Sequence, residues 1–158
     1  MGFALSEMQV TSEAFAEGCA IPTRYTREGE NVSPSIAWSN APAEAKSFVV
    51  FCHDPDAPLV QPRTYGYVHW VLYNIGGTTS GLEAGTGQGT SGKTNNEKPG
   101  YGGPMPPNGH GVHRYYFWVC ALNQKPDLPE GLTLWEVLEK IEPHVVGMNR
   151  LVGTYERR

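Results

Sequence analysis

The segment of residues 113–122 constrains the fold of this chain more than any other. Apolar or aromatic side chains occupy both its odd and its even positions: Tyr115, Phe117 and Val119 against Tyr116, Trp118 and Cys120. Side chains of a β-strand alternate between the two faces of a sheet, so a strand with two apolar faces must be covered on both sides. We therefore predict an interior strand with a packed layer above and below it.

Other segments add strands to this sheet. Residues 33–38 alternate polar and apolar side chains, which is typical of a half-buried strand, and strands are also expected over residues 47–53 and 66–75. The segments 24–26 and 151–155 are further candidates for short strands. Most of the predicted regular structure is therefore β.

One helix is indicated near the C-terminus. Thr133 and Glu136 have the spacing of a capping box, and Pro143 ends the pattern that follows. The apolar residues on one helical face are Leu134, Leu138 and Ile141. A helical turn is also expected at residues 144–148. With 19 glycines and 13 prolines among 158 residues, the chain is predicted to be one mainly β domain over residues 1–158, an antiparallel β-sandwich with a central sheet and one or two peripheral helices.

Residues 76–112 carry twelve of the 19 glycines and four prolines, without helix or strand periodicity. So long an irregular stretch is usually functional, and we predict a loop beside a ligand pocket. Within it, residues 87–94 match the Walker A pattern, which leaves a P-loop phosphotransferase or ATPase as an alternative. That pattern requires a strand before it and a helix after it, and the flanking residues support neither.

The charge distribution excludes one class of partner. The formal net charge is −4 and the basic residues form no run, so no nucleic-acid partner is expected. The N-terminus lacks a secretory signal, and no apolar run is long enough to span a bilayer. Two of the three cysteines lie in apolar strand segments, which favours a reducing compartment. We expect a cytoplasmic protein without stable membrane insertion.

Polar side chains gather at the ends of the predicted strands. Asp54 and Asp56 follow one strand, whereas His113 opens another. The period of two puts Tyr67 with His69, and His113 with Tyr115, on the same side of the sheet. We expect these groups to converge on a small pocket that binds an anion, more tightly at acid pH because a protonated imidazole gains a donor and a charge.

The order of these motifs carries a resemblance. Asp-Pro-Asp-Ala-Pro (54–58), His-Trp (69–70), Gly-Tyr-Gly-Gly-Pro-Met-Pro-Pro-Asn-Gly (100–109) and His-Arg-Tyr (113–115) follow one another, and residues 31–38 and 151–155 match further segments. The set resembles the phosphatidylethanolamine-binding protein family, and most of all its bacterial branch, the Raf kinase inhibitor-like proteins.

This resemblance implies a β-fold with a shallow pocket for phosphate or phosphoryl head groups such as phosphoethanolamine. The matching ligand-binding positions are Asp54, Asp56, Tyr67, His69, Gly103, Pro106, His113 and Tyr115. It also implies a cis peptide bond at Ala57–Pro58 and, by family analogy, modulation or inhibition of a protein kinase or protease. No cofactor is implied, and a homodimer is left open.

Catalysis is not expected, because no Ser or Cys is placed beside a His and an orienting acid in a known arrangement. We predict a non-enzymatic binding protein. Besides the P-loop, the alternative left open is a metal-dependent hydrolase that uses His69, His113 and Asp54, since two imidazoles and a carboxylate form a familiar metal-ligand set.

Overall fold

The computed structural model describes residues 2–58, 60, 62 and 65–158. Its regular elements are the strands β1 (Gln9–Thr11), β2 (Ile36–Ser39), β3 (Ser47–Asp54), β4 (Tyr67–Gly76), β5 (Gly81–Leu82), β6 (Thr90–Ser91), β7 (His113–Leu122) and β8 (Val145–Tyr155), and the helix α1 (Leu134–Ile141). Two 3-10 helices cover Thr23–Tyr25 and Glu142–His144. The mainly β fold is as predicted.

The strands form two antiparallel sheets. The smaller sheet has the order β1-β2-β5 and the larger sheet the order β6-β4-β3-β7-β8. The predicted strands over residues 47–53, 66–75 and 113–122 agree with β3, β4 and β7, which are neighbours in the larger sheet. β3 lies between β4 and β7 and runs antiparallel to both, so the end of β3 meets the beginnings of its two neighbours.

Two apolar layers cover the larger sheet, one on each face. Phe117 and Val119 of β7 belong to the layer between the sheets, where Phe48, Ile36 and Trp38 also lie. Alternate residues of the same strand point the other way: Cys120 and Leu122 pack under α1 with Val137 and Ile141. The face of β7 toward the smaller sheet is buried along the whole strand, as the apolar pattern over residues 113–122 predicted. The opposite face is buried at Cys120 and Leu122 but only partly at Tyr116 and Trp118, and Arg114 is exposed there, so the predicted cover on that side is incomplete.

The helix α1 begins with the predicted capping box. The Thr133 hydroxyl accepts a hydrogen bond from the Glu136 backbone N–H at 3.2 Å, and the Glu136 carboxylate accepts one from the Thr133 backbone N–H at 3.1 Å. Its buried face differs from the prediction, because Val137 and Ile141 are the fully buried residues and the leucines at 134 and 138 are only partly covered.

Three local predictions were wrong. The segment 24–26 is not a strand: the Thr26 hydroxyl and backbone N–H both donate to the Thr23 carbonyl and close a 3-10 turn. Residues 145–148 are not a helical turn but the start of β8, which pairs along all of β7. The stretch 76–112 is not wholly irregular, because it contains β5 and β6.

None of the helices in the described part of the chain is long and apolar enough to cross a bilayer. The Walker-like segment 87–94 also lacks the structure that its pattern requires. Thr90 and Ser91 form the edge strand β6, and the Lys93 backbone N–H donates to the Leu132 carbonyl where a P-loop would begin a helix.

Candidate functional site

The ends of three neighbouring strands meet at one edge of the larger sheet. Asp54 ends β3, Tyr67 begins β4 directly opposite it, and His113 begins β7 on the other side. The pairing of β3 with β4 skips His69: Cys52 is opposite Trp70, and the next β3 residue is opposite Val68. His69 is therefore the extra residue of a β-bulge, a device that re-aims side chains at sheet edges.

These strand ends and the Gly/Pro-rich loop enclose a cavity of about 350 Å³. Seven of the eight predicted ligand-binding residues line it: Asp54, Tyr67, His69, Gly103, Pro106, His113 and Tyr115. Its remaining walls are Arg27, Ala57, Val60, Met105 and Pro107. The expected convergence of strand ends on one small pocket is thus a feature of the structure.

Asp56 is the predicted residue that does not line the cavity. Its backbone N–H donates to Asp54 Oδ1 at 2.8 Å, and its own carboxylate accepts from the Arg114 backbone N–H at 2.7 Å. The Arg114 guanidinium lies 3.7 Å from the same carboxylate. Asp56 therefore holds the ends of β3 and β7 together beside the pocket and does not line the cavity.

A chain of three hydrogen-bonded side chains forms one wall. His113 Nδ1 lies 2.7 Å from Asp54 Oδ2, and both side chains are almost completely buried. Burial raises the pKa of Asp54, against the opposing effect of the hydrogen bond from His113. His110 Nδ1 lies 2.7 Å from His113 Nε2. Whichever ring donates in this contact, both ring nitrogens of His113 already have a partner within the protein.

His69 differs from the expected anion donor. Its Nδ1 lies 2.6 Å from the Gly102 carbonyl oxygen, and the Gly102 backbone N–H donates to the His69 carbonyl at 2.8 Å. A carbonyl only accepts, so the ring proton is on Nδ1 and Nε2 is an acceptor. Burial lowers the pKa of His69 to about 3, so the ring stays neutral at ordinary pH. His69 therefore cannot supply the acid-dependent charge expected from the sequence.

Two tyrosines complete the aromatic side of the cavity. The Tyr67 ring lies 4.5 Å from the His69 ring, and the Tyr115 ring meets the same imidazole edge-on at 5.2 Å, measured between centroids. Burial raises the pKa of Tyr115, so its hydroxyl remains protonated. No residue in the described ranges hydrogen-bonds that hydroxyl. It is therefore available as a donor within the cavity.

The loop contributes shape rather than amide donors at the predicted glycine. The Gly103 backbone N–H donates to Asn31 Oδ1 at 2.7 Å and so already has a partner within the protein. An added Cβ at this position would lie 2.4 Å from the Tyr25 carbonyl oxygen, which explains why glycine is needed where the loop crosses that turn. The Ala57–Pro58 bond is trans, and the expected cis bond is a further correction.

Two residues of the site were missed. Arg27 follows the 3-10 helix Thr23–Tyr25, where the sequence suggested a short strand, and nothing in the sequence placed it at the cavity. His110 lies in the motif that leads into β7, but its contact with His113 depends on the loop path, where Gly109 and Gly111 both adopt positive φ. The sequence offered a signal only for His110, as an imidazole three residues before His113.

The geometry does not favour the metal-hydrolase alternative. Among the described residues, no group of three or more His, Cys, Asp or Glu side chains is arranged to hold a metal ion. The pair of Asp54 and His113 is internally hydrogen-bonded, and His69 directs its protonated nitrogen at a carbonyl. The three metal ligands proposed from the sequence therefore belong to two separate hydrogen-bond systems, Asp54 with His113 and His69 with Gly102.

Comparison with known proteins agrees with this architecture. The family model described as phosphatidylethanolamine-binding protein matches residues 11–156. A UPF0098 protein of Methanothermobacter thermautotrophicus is 40% identical over 157 residues, covering 95% of this chain and 99% of that protein. The UPF0098 protein YbhB of Escherichia coli is 38% identical over 138 residues, covering 78% of this chain and 84% of YbhB.

Two solved structures extend the likeness to the fold. A phosphatidylethanolamine-binding protein homologue from Chlamydia trachomatis superimposes with a TM-score of 0.88 at 36% identity, covering 96% of this chain and 98% of that one. YbcL of Escherichia coli, described as a member of the mammalian family, gives a TM-score of 0.84 at 29% identity, covering 97% of this chain and 100% of YbcL. Sequence, fold and site geometry agree: the chain belongs to the phosphatidylethanolamine-binding protein family.

Proposed function

We propose that this chain is a binding protein whose cavity between β3, β4 and β7 takes a small anion, such as phosphate or the phosphoryl group of phosphoethanolamine. The observation that supports this most is the convergence of seven expected residues on one small recess. Tyr115 presents a hydroxyl there that no described residue hydrogen-bonds, beside the buried imidazole and carboxylate pair. Hydrogen bonds to an anion in such a partly dry recess are stronger than in water.

The chemistry of the neighbouring groups supports binding rather than catalysis. Cys52 is the cysteine on the strand that ends at Asp54, but it is completely buried and burial raises the pKa of its thiol well above the usual value. The thiolate needed for nucleophilic attack is therefore suppressed. The Tyr115 hydroxyl is held protonated for the same reason. Neither group is suited to act as a nucleophile.

The phosphoryl group rather than an ammonium group should dominate recognition. Both oxygens of Asp54 already have partners, His113 and the Asp56 backbone N–H, so this carboxylate is poorly placed to attract the ammonium of ethanolamine. We expect inorganic phosphate and phosphoethanolamine to bind with similar affinity, and ethanolamine alone not to bind. Modulation of a kinase or protease stays a prediction from family analogy.

The test is calorimetric titration of phosphoethanolamine into the wild type, Tyr115→Phe and Tyr116→Phe. The two variants lose the same hydroxyl at adjacent positions, but only Tyr115 lines the cavity. Loss of one hydrogen bond to an anion should weaken binding about 10-fold or more in Tyr115→Phe, and Tyr116→Phe should match the wild type. A wild type without saturable binding, or an equal loss in both variants, would refute the proposed site.

A further inference from the structure

Arg27 is the one cationic side chain among the described residues that line the cavity. Its backbone N–H donates to the Pro104 carbonyl at 3.1 Å, which fixes the turn against the Gly/Pro-rich loop. Its Nη2 lies 3.4 Å from the Tyr67 hydroxyl oxygen, so the guanidinium reaches the aromatic wall of the cavity. The same side chain lines a neighbouring polar cleft of about 240 Å³ with Lys98. Arg27 thus stands between the cavity and a second basic residue.

The acidic side chains closest to Arg27 in sequence or at the pocket rim are engaged elsewhere. Glu28 accepts a hydrogen bond from the Tyr155 hydroxyl at 2.6 Å and forms an ion pair with Arg157, while Glu30 forms an ion pair with Arg24.

At the rim of the cavity, Asp54 is hydrogen-bonded to His113, and Asp56 forms an ion pair with Arg114. No carboxylate in the described ranges lies within ion-pair distance of the Arg27 guanidinium. The charge of Arg27 at the cavity is therefore not paired with a carboxylate of the described part of the chain.

Gly102 leaves the space that the Arg27 guanidinium occupies. An added Cβ on Gly102 would lie 2.6 Å from Arg27 Nη2, closer than a nonbonded contact allows. Gly102 also carries the carbonyl that orients His69. The absence of a side chain at this position lets the guanidinium pack against the loop backbone between the loop and the Tyr67 hydroxyl. The backbone of Gly102 is not in the positive-φ region, so alanine is conformationally allowed there.

We propose that Arg27 is the residue that makes this cavity selective for anions, by donating charge-assisted hydrogen bonds to a phosphoryl oxygen. The inference rests on the proposed function. It assigns the positive charge at the anion to the arginine, because His69 Nδ1 is hydrogen-bonded to the Gly102 carbonyl and Nε2 of His113 is hydrogen-bonded to His110. A planar guanidinium matches the oxygens of a phosphomonoester better than a lysine ammonium does. The ligand class is therefore a phosphomonoester or inorganic phosphate.

The experiment measures the affinity of inorganic phosphate, by calorimetry, for the wild type, Arg27→Gln, Arg27→Lys and Arg24→Gln. Arg24→Gln is the matched control, because it removes the same charge three residues away from an arginine that does not line the cavity. We expect affinity to fall about 10- to 100-fold in Arg27→Gln, less in Arg27→Lys, and not in Arg24→Gln. Wild-type affinity should weaken with added NaCl, and this dependence should be much smaller in Arg27→Gln.

A variant that displaces the guanidinium without removing its charge completes the test. Gly102→Ala should weaken phosphate binding, because its methyl group takes the space of Arg27 Nη2. This result does not depend on Arg27→Gln folding normally. Phosphate binding by the wild type with unchanged affinity and salt dependence in Arg27→Gln would overturn the role of Arg27 alone. Absence of phosphate binding by the wild type would overturn the proposed function as well.

Discussion

The buried imidazole of His69 should make the free energy of unfolding fall at acid pH. The single substitution His69→Asn should remove this contribution. In the folded chain the pKa of His69 is about 3, against a usual value of 6.5. Burial is the main cause, and Arg27, His53 and His113 oppose protonation further. Between these two pKa values the unfolded chain binds a proton at this residue and the folded chain does not. Stability contributed by the neutral ring is therefore complete above about pH 6.5 and is lost as the pH falls toward 3.

The size of the effect follows from the two pKa values. At about pH 4.5 the unfolded histidine lies two units below its own pKa, whereas the folded one is still almost fully neutral. Each unit corresponds to about 1.4 kcal/mol, so this residue alone should lower the free energy of unfolding by about 2–3 kcal/mol between about pH 7 and about pH 4.5. That is a large fraction of the usual stability of a domain of this size.

The comparison is between the wild type and His69→Asn. The asparagine amide can donate to the Gly102 carbonyl in place of Nδ1–H, but it does not titrate. Urea unfolding followed by tryptophan fluorescence gives the free energy of unfolding of both proteins at each pH. The variant will be less stable at neutral pH because it leaves a void, but the difference in stability between the two proteins should narrow by about 2–3 kcal/mol at about pH 4.5. Parallel pH profiles for the two proteins would refute the assignment of a neutral, buried His69.

Three further predictions concern stability and reactivity. Thr133→Ala should lower the free energy of unfolding by about 1 kcal/mol, because it removes the helix cap, and Thr133→Ser should restore it; urea unfolding measures both. Gly153→Ala should cost about 1–3 kcal/mol, because the added Cβ would lie 2.6 Å from the Ile21 side chain, whereas Gly76→Ala meets no atom within 4 Å; similar losses in the two variants would contradict this. Ellman's reagent should titrate only Cys19 in the native protein and the two buried cysteines only after unfolding; more than one native thiol would show that the core is open.

Much of the larger sheet was predictable from the sequence because its strands carry their own pattern. β3, β4 and β7 show period-two alternation or two apolar faces, and these properties depend on neighbouring residues only. The strand ends could therefore be expected to bring Asp54 and His113 together. The start of β8 was harder to predict, because residues 145–148 become a strand through pairing with β7 and not through local preference.

The errors at the site share one physical cause, which is dependence on contacts between distant segments. The bulge at His69 follows from the register between two strands, and register is set by the whole sheet. The tautomer of that ring is fixed by a carbonyl 33 residues away. Arg27 reaches the cavity from a turn that has no periodic pattern. A sequence indicates which residue types are available. Contacts between segments that are distant in the sequence decide which of these residues face the cavity.

Strand β7 connects ligand binding in the cavity to the stability of the rest of the molecule. The strand presents His113 and Tyr115 at one end, and along its remaining length it supplies both apolar layers. Unfolding of either apolar layer must disturb β7 and, because β7 lines the cavity, the cavity as well. Occupancy and global unfolding are thus thermodynamically linked, and a ligand that favours the native chain will raise the melting temperature in proportion to the logarithm of its concentration. Measurement of the melting temperature can therefore identify which small molecules bind to this protein.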